Sequence, residues 1–465
     1  MGNNISRRKF IGQASCASLG YTALFSTLFN LKAINAATMF NDPGDDYKAM
    51  VCFLLNGGAD SYNMLIPRGD SEWQEYKTTR SNLAIPKSKV LPLNPINNSG
   101  TSLGVHPSMK NMQQMFNDRE LSFITNIGAL INGVEKDSIY QGTADLPLGL
   151  FSHVDQVMHW QTGIPQDRIN QGWGGRIADM LTAANTNTNQ NISMNISLGG
   201  TNIWQTGNET VEYSIDPVYG STMIDGYNQG DWQLSNMRTQ AIDNMLDQYH
   251  HDMFKKAYID VVKVAKVGSE QFTTAVDAVN LDTSFSDNRV SQSFQMVAKT
   301  IAARTALGMK RQIFFIEFGG WDHHDEVLMA QEEMLTIVDD ALNEFMLALE
   351  EINARDCVTV FSMSEFGRTL TSNGNGTDHA WGGNVFVLGG PVKGGQIIGQ
   401  YPTLALESEL DLGGGVLIPR IATDEYFSEL AMWFGVAPSE LTTILPNIGN
   451  FYSPSSSRAP LGFLL

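Results

Sequence analysis

Short apolar runs that end in glycines, spaced far apart, constrain this chain more than any other feature. They occupy residues 50–55, 121–127, 313–318, 357–363 and 384–388. Their length, flanking glycines and content of Val, Ile and Phe are those of buried strands. The wide gaps between them carry helical patterns, which is what crossover connections between parallel strands require. The expected fold is therefore α/β: a mainly parallel sheet flanked by helices.

The clearest helix spans 331–354. Leu335, Val338, Leu342, Phe345, Leu349 and Ile352 step by three and four, giving one apolar stripe opposite an acidic face. It joins the strand before Gly319 to the strand at Cys357 as a βαβ unit. Residues 241–267, 289–309 and 425–434 also read as helices. From about 183 to 238 the composition shifts to Asn, Thr, Gln, Ser and Gly. This segment reads as a loop-rich insertion on the rim, since a strand-like piece at 192–198 continues within it.

The N-terminus carries an address. Ser6-Arg7-Arg8-Lys9-Phe10-Ile11 leads into a weakly apolar stretch and then the small residues 33–37. That order is a signal peptide's, and the paired arginines mark the twin-arginine (Tat) version. Cleavage is expected after Ala36 or Ala37, so the Tat translocase is an expected partner and the periplasm or exterior the destination. The intervening stretch is too polar for a good bilayer span, which needs about 20 mostly apolar residues, and no stable span is expected after cleavage. About 430 residues remain, read as one domain over 38–465.

Net charge is −19, and about −23 once the four basic residues Arg7, Arg8, Lys9 and Lys32 leave. Such a surface repels polyanions, so nucleic acid is not an expected partner. It leaves room for a small anion at a locally positive metal site. Cys52 and Cys357 lie in strand-like runs and read as buried thiols; a disulfide between them depends on those strands being neighbours.

Four segments place ionisable residues where a strand gives way to a loop, the usual position of ligand sites in open α/β sheets. Asn56-Gly57-Gly58-Ala59-Asp60 offers Asp60, or an ordinary capping aspartate. Gly319-Gly320-Trp321-Asp322-His323-His324-Asp325 offers adjacent oxygen and nitrogen ligands suited to zinc, manganese or iron, or a polar surface loop. Ser364-Glu365-Phe366-Gly367-Arg368 offers Glu365 as a ligand and Arg368 as an oxyanion fork, or a structural Glu–Arg pair. Gly376-Thr377-Asp378-His379 offers Asp378 and His379, or a tight loop. Of the other histidines, His106 reads as a helix-entry residue, His159 as packing near Trp160, and His250 and His251 as solvent-facing.

These segments appear in a recognisable order. LLNGGADSYNMLIP from Leu54, GGWDHHD from Gly319, SEFGRT from Ser364, GTDHAWGG from Gly376 and GGPVKGG from Gly389, behind a Tat signal, resemble the bacterial family called domain of unknown function 1501. Phe151-Ser152-His153, Trp160-Gln161-Thr162-Gly163 and Gly172-Trp173-Gly174-Gly175-Arg176 also match. That family is similar to the alkaline phosphatase and sulfatase superfamily, which hydrolyses phosphate or sulfate esters with metals at the sheet's C-terminal edge.

The resemblance implies an alkaline phosphatase-like fold, a doubly wound, mainly parallel α/β sheet flanked by helices, and a divalent metal such as zinc, manganese or calcium. It makes Asp60, Asp322, His324, Glu365 and His379, with Asp378, the metal ligands. Ser152 and His153 both lie where the superfamily carries its nucleophile. Arg368 or Arg176 would take up transition-state charge. The sequence departs from the pattern in three places: Asp322 and His324 are two apart rather than four, Glu365-Phe366 stands where an Asp-His pair is usual, and the nucleophile register is off by one, so that Ser152 and His153 compete for the role. Two functions are expected from this. The first is an exported metal-dependent hydrolase. The second is a non-catalytic envelope protein with a degenerate hydrolase fold, binding a glycan or protein partner through Trp160, Trp173, Trp204, Trp232 and Trp381.

Overall fold

The computed structural model describes residues 47–97, 100–221, 227, 230, 232–248, 251–456 and 458–464. The expected signal peptide and His250 lie outside the described residues.

Among the described residues, nine strands form the main sheet. β1 (Lys48–Asn56) is central, between β8 (Arg311–Gly319) and β9 (Val358–Met363), parallel to both. β6 (Asn195–Ser197) and then β7 (Tyr213–Ser214) extend the β8 side, again parallel. On the other side β10 (Gly383–Leu388) follows β9, then β5 (Leu121–Gly128), with the short β11 (Ile397–Ile398) and β12 (Ile421–Ala422) both pairing β5. Three further strands, β2 (Leu65–Pro67), β3 (Leu91–Pro92) and β4 (Leu103–Val105), make a small antiparallel sheet. The mainly parallel α/β architecture is as the apolar runs imply.

β10 is the strand that runs against the rest. The reason is local. A parallel neighbour needs a crossover of a dozen or more residues back to the sheet's other end, usually a helix. Residues 364–382 hold no helix; they fold on themselves at the C-terminal edge of β9, so the chain re-enters the sheet reversed. Both ends of this loop therefore stay at one edge.

Alternate residues of β1 enter opposite cores. Ala49, Val51, Phe53 and Leu55 join the helices Arg289–Ala302 and Val327–Glu351. Met50, Cys52 and Leu54 join Trp173–Ala183 and Thr423–Phe434 on the other face. The period of two with both faces apolar is what a sheet covered on both sides demands. The predicted stripe of the long helix is buried at Leu335, Val338, Leu342, Phe345 and Leu349, with Ile352 packed at its margin. Each such side chain contributes roughly 1.5–3 kcal/mol.

Several boundaries differ from expectation. The long helix starts four residues early, at Val327, and ends at Glu351. The helix at 289 stops at Ala302, where the chain turns down to Gly308 (φ +66°). Residues 241–267 are not one helix but parts of two, Gln233–Asp247 and Met253–Asp277. The chain extends at Gln248, and Asp252 caps the second helix by accepting from the N–H groups of Phe254 and Lys255. The polar stretch from 183 contributes β6 and β7 to the sheet edge.

β1 and β9 are neighbours, but Cys52 sits opposite Phe361. Cys357 lies four positions back, about 13 Å along the ladder, beyond disulfide reach. Neither cysteine forms a disulfide, and the Cys357 thiol donates to the Ala354 carbonyl at 3.1 Å. Among the described residues no helix is long and apolar enough to cross a membrane.

Candidate metal centre

Loops leaving the same edge, after β1, β5, β8 and β9, bring the ionisable residues together. The loop after β8 delivers Asp322 and His324. The loop after β9 is a small hairpin in which Arg368 pairs with His379 across an antiparallel bridge. Two backbone hydrogen bonds lock it: the Ala380 N–H donates to the Gly367 carbonyl at 2.9 Å, and the Gly367 N–H to the Trp381 carbonyl at 2.9 Å. Gly376 lets this hairpin lie directly on the β8 loop, since a Cβ there would sit 2.2 Å from the His324 carbonyl carbon. His153 arrives at the first position of the helix His153–Thr162.

Three imidazoles converge through one type of nitrogen. His379 Nε2 lies 3.0 Å from His153 Nε2 and 3.0 Å from His324 Nε2. The Asp322 carboxylate closes the group, 3.1 Å from His324 Nε2 and 3.4 Å from both His153 Nε2 and His379 Nε2. Each ring's other nitrogen faces an acceptor. His153 Nδ1 meets Glu365 Oε1 at 2.7 Å, His324 Nδ1 meets Asp378 Oδ1 at 3.1 Å, and His379 Nδ1 meets the Phe151 carbonyl at 2.7 Å.

A neutral imidazole has a single N–H. With that proton donated from Nδ1, every Nε2 presents a lone pair, and that of His379 meets those of His153 and His324 beside a carboxylate near all three. Nothing in the donor set relieves that repulsion except a proton or a cation. A histidine held by an acceptor behind it is the usual arrangement around a bound metal. Ligands of a tetrahedral ion at about 2.0–2.1 Å stand roughly 3.3 Å apart, close to the observed spacings. Among the described residues, His153, Asp322 and His379 offer ligand atoms that all lie within 4.8 Å of one another. The residues present therefore fit a divalent cation of the zinc or manganese type.

The electrostatics agree. The Glu365 hydrogen bond raises the His153 pKa, against the effect of partial burial. Burial lowers that of His379. Burial pushes Asp322 up, but the hydrogen bond and charge of Arg368 outweigh it and the carboxyl lies below its usual range. Asp378 is lowered, first by the Asn373 amide and then by His324. The group is open to solvent, with Asp322 and His324 nearly half exposed.

The other expected site residues are placed differently. Glu365 is buried and does not reach the cluster's centre; it accepts from the Gly57 N–H at 2.8 Å and holds His153 from behind. Asp378 holds His324 in the same way. Asp60 is buried in an ion pair with Arg80, its other oxygen lacking any hydrogen-bond partner. Ser152 is the N-cap of its helix, its hydroxyl accepting from the Asp155 N–H, so His153 and not Ser152 faces the cluster.

Arg368 is 1% exposed and donates to the carbonyls of Gly58 and Thr377 and to Asp322. It clamps the loops together and presents no free fork to an oxyanion. Arg176 is buried too, donating to the carbonyls of Ile444 and Gln171, and burial lowers its pKa to about 10. His106 and His159 are buried, each with a backbone partner, and His251 is exposed.

Sequence reasoning missed the Phe151 carbonyl and the Arg80 guanidinium. Phe151 has φ +78°, a strained conformation that aims its carbonyl at His379. No side-chain motif signals a backbone acceptor. The aromatic surface expected for glycan binding is absent at four of its five positions: Trp160, Trp173, Trp204 and Trp381 are at most 2% exposed. They pack in the cores, Trp173 stacking on Phe427 with centroids 4.6 Å apart.

Residues 47–411 match the family model described as a protein of unknown function, DUF1501. This chain belongs to that family. No curated relative matches it significantly. Among solved structures, the chain is similar to the sulfatase PsFucS1 from Pseudoalteromonas sp., at 10% identity over 88% of this chain and 72% of that one, with a TM-score of 0.34. It is also similar to Ps i-CgsB in complex with k-i-k-neocarrahexaose, at 9% identity, 89% and 78% coverage and a TM-score of 0.33. A variant of the alkaline phosphatase PafA matches at 9% identity, 70% and 63% coverage and 0.29. At such scores these likenesses carry no functional weight, and the DUF1501 site has to be read from its own residues.

Proposed function

We propose that this DUF1501 protein is an exported, metal-dependent hydrolase of phosphate or sulfate esters. One observation carries the metal part: three imidazoles, each fixed through Nδ1, turn their Nε2 lone pairs onto the Asp322 carboxylate. His153, Asp322, His324 and His379 would hold the ion. When bound, it supplies Lewis acidity to an ester oxygen and lowers the pKa of a water.

The chain's own groups do the rest. Glu365, Asp378 and the Phe151 carbonyl keep each ring in the Nδ1–H tautomer. Arg368 fixes Asp322 and joins the three loops. Asp322, half exposed and held ionised by Arg368, would supply the anionic ligand at the open edge. The ester class rests on the order of motifs from Asp60 to Gly395, and export on Arg7-Arg8 and the small residues 33–37.

Metal content by mass spectrometry, on protein purified without chelator, tests the reading. The parent is expected to hold stoichiometric metal, and the Asp322→Ala/His379→Ala variant to lose it along with turnover of aryl phosphate or sulfate esters. A folded parent without metal would sink the proposal. Metal without turnover of either ester class would overturn the substrate assignment alone.

A further inference from the structure

Behind the metal centre lies a second polar group that the proposed chemistry does not use. Asp60 Oδ1, Trp321 Nε1, His323 Nδ1, Gln331 Oε1 and Thr377 Oγ1 are buried, and each of these atoms is without a hydrogen-bond partner. None of the five residues is more than 7% exposed. They adjoin one another. The Gln331 side-chain amide donates to the Asp60 carbonyl at 2.7 Å. The Thr377 N–H donates to the His323 carbonyl at 3.1 Å, and the His323 ring lies 6.1 Å from that of Trp321. The negative charge of Asp60 is felt at the His323 ring.

Buried polar atoms are nearly always paired, and one left unpaired is costly. The valences of this set name what fits between them. Asp60 Oδ1 and Gln331 Oε1 can only accept, Trp321 Nε1 can only donate, and the Thr377 hydroxyl can do either. Two acceptors cannot satisfy each other. A water molecule donates two hydrogen bonds and accepts two, and a buried water typically bonds about three groups that have no other partner. A cation fits less well. Arg80 already neutralises the Asp60 carboxylate within the same interior, so the ion's charge would stay uncompensated. Hard cations also take about six oxygens, and this set offers only those of Asp60, Gln331 and Thr377.

We propose that an ordered water is bound here, donating to Asp60 Oδ1 and Gln331 Oε1 and accepting from the Thr377 hydroxyl or the Trp321 indole. His323 stands between Asp322 and His324 on the loop after β8, Thr377 two residues before His379 on the hairpin, and Asp60 on the loop after β1. The water therefore ties the hairpin that carries His379 to the β1 loop from behind, and Thr377 is a positioning residue. The water site stands independently of the proposed function; its effect on metal binding rests on that reading.

A crystal structure of the parent at a resolution that shows ordered solvent tests the site. Density is expected at about 2.5–3.0 Å from both Asp60 Oδ1 and Gln331 Oε1. A peak that gains anomalous signal in crystals soaked with rubidium or manganese marks a cation and overturns the proposal. So does a site in which these groups turn to pair with one another and no density lies between them. In solution, Thr377→Val keeps the shape and removes the hydroxyl, while Thr377→Ser keeps the hydroxyl. The first is expected to lower zinc affinity about tenfold and the second to restore it, with the circular dichroism of both unchanged. A Thr377→Val protein that binds zinc as tightly as the parent overturns the positioning role. If the parent binds no zinc, the proposed function fails and the crystal density alone decides the water.

Discussion

His153 and His379 face each other Nε2 to Nε2 at 3.0 Å across the C-terminal edge of the sheet. Their Nδ1 atoms are committed to Glu365 and to the Phe151 carbonyl, so the contact sets two lone pairs against each other. The arrangement is costly without a proton or a cation between the rings, and the surrounding loops are built to enforce it.

Glu365 acts on His153 from behind. Glu365→Ala removes the acceptor and frees the ring to rotate, and metal affinity should fall about 10–100-fold. Glu365→Gln keeps an oxygen acceptor for Nδ1 and should retain most of that affinity. Calorimetric titration with zinc would decide it. Equal losses in the two variants would mean that Glu365 is itself a ligand.

Asp60 is paired with Arg80 in the interior, both about 1% exposed or less. Asp60→Asn leaves the guanidinium uncompensated and should cost about 3–5 kcal/mol of stability. Metal stoichiometry should not change. Urea unfolding and metal analysis on the same sample separate the two effects, and loss of the metal at full stability would restore Asp60 as a ligand.

Gly57 adopts φ +127°, and a Cβ there would lie 2.5 Å from the Asp322 nitrogen. Gly57→Ala should therefore push the β8 loop away, destabilise by about 2–4 kcal/mol and reduce metal binding. Gly319→Ala is the matched control, since a Cβ there meets nothing within 4 Å. If the two variants behave alike in melting and metal content, the close approach is not what holds Asp322.

Asp424 is fully buried with neither oxygen bonded to another residue, and burial raises its pKa to about 8 in spite of Arg176. Its folded pKa lies above the unfolded value of 3.8, so the folded state binds more protons between them. The stability it contributes is present below that window and lost as pH rises through it. Asp424→Asn should flatten this slope and raise stability at the alkaline end by about 2–5 kcal/mol. Urea midpoints at the two ends of the window measure it; an unaltered slope would show that another group titrates.

The strands were legible because a sheet buried on both faces needs unbroken apolar runs, as at 50–55 and 357–363. The long helix was legible because Leu335 to Leu349 repeat with the helical period. The reversal of β10 was not, since Asn384–Leu388 reads the same in either direction. Asp322, His324 and His379 stood out by residue type and place. The role of Glu365 did not, because a ligand and the group that holds a ligand have the same chemistry and differ only in what lies between them.

The sequence by itself determined the α/β class, the edge at which ionisable residues gather and the motifs that place the chain in its family. These depend on local periodicity and on residue type, which the linear order preserves. Tertiary structure decided that His153 joins Asp322, His324 and His379, that Glu365 and Asp378 stand behind them, and that Asp60 belongs to Arg80. Those assignments rest on contacts between residues up to about 300 positions apart, such as Gly57 with Glu365. Which of two like groups reaches the centre is fixed by a few ångströms of backbone placement that the one-dimensional pattern does not encode.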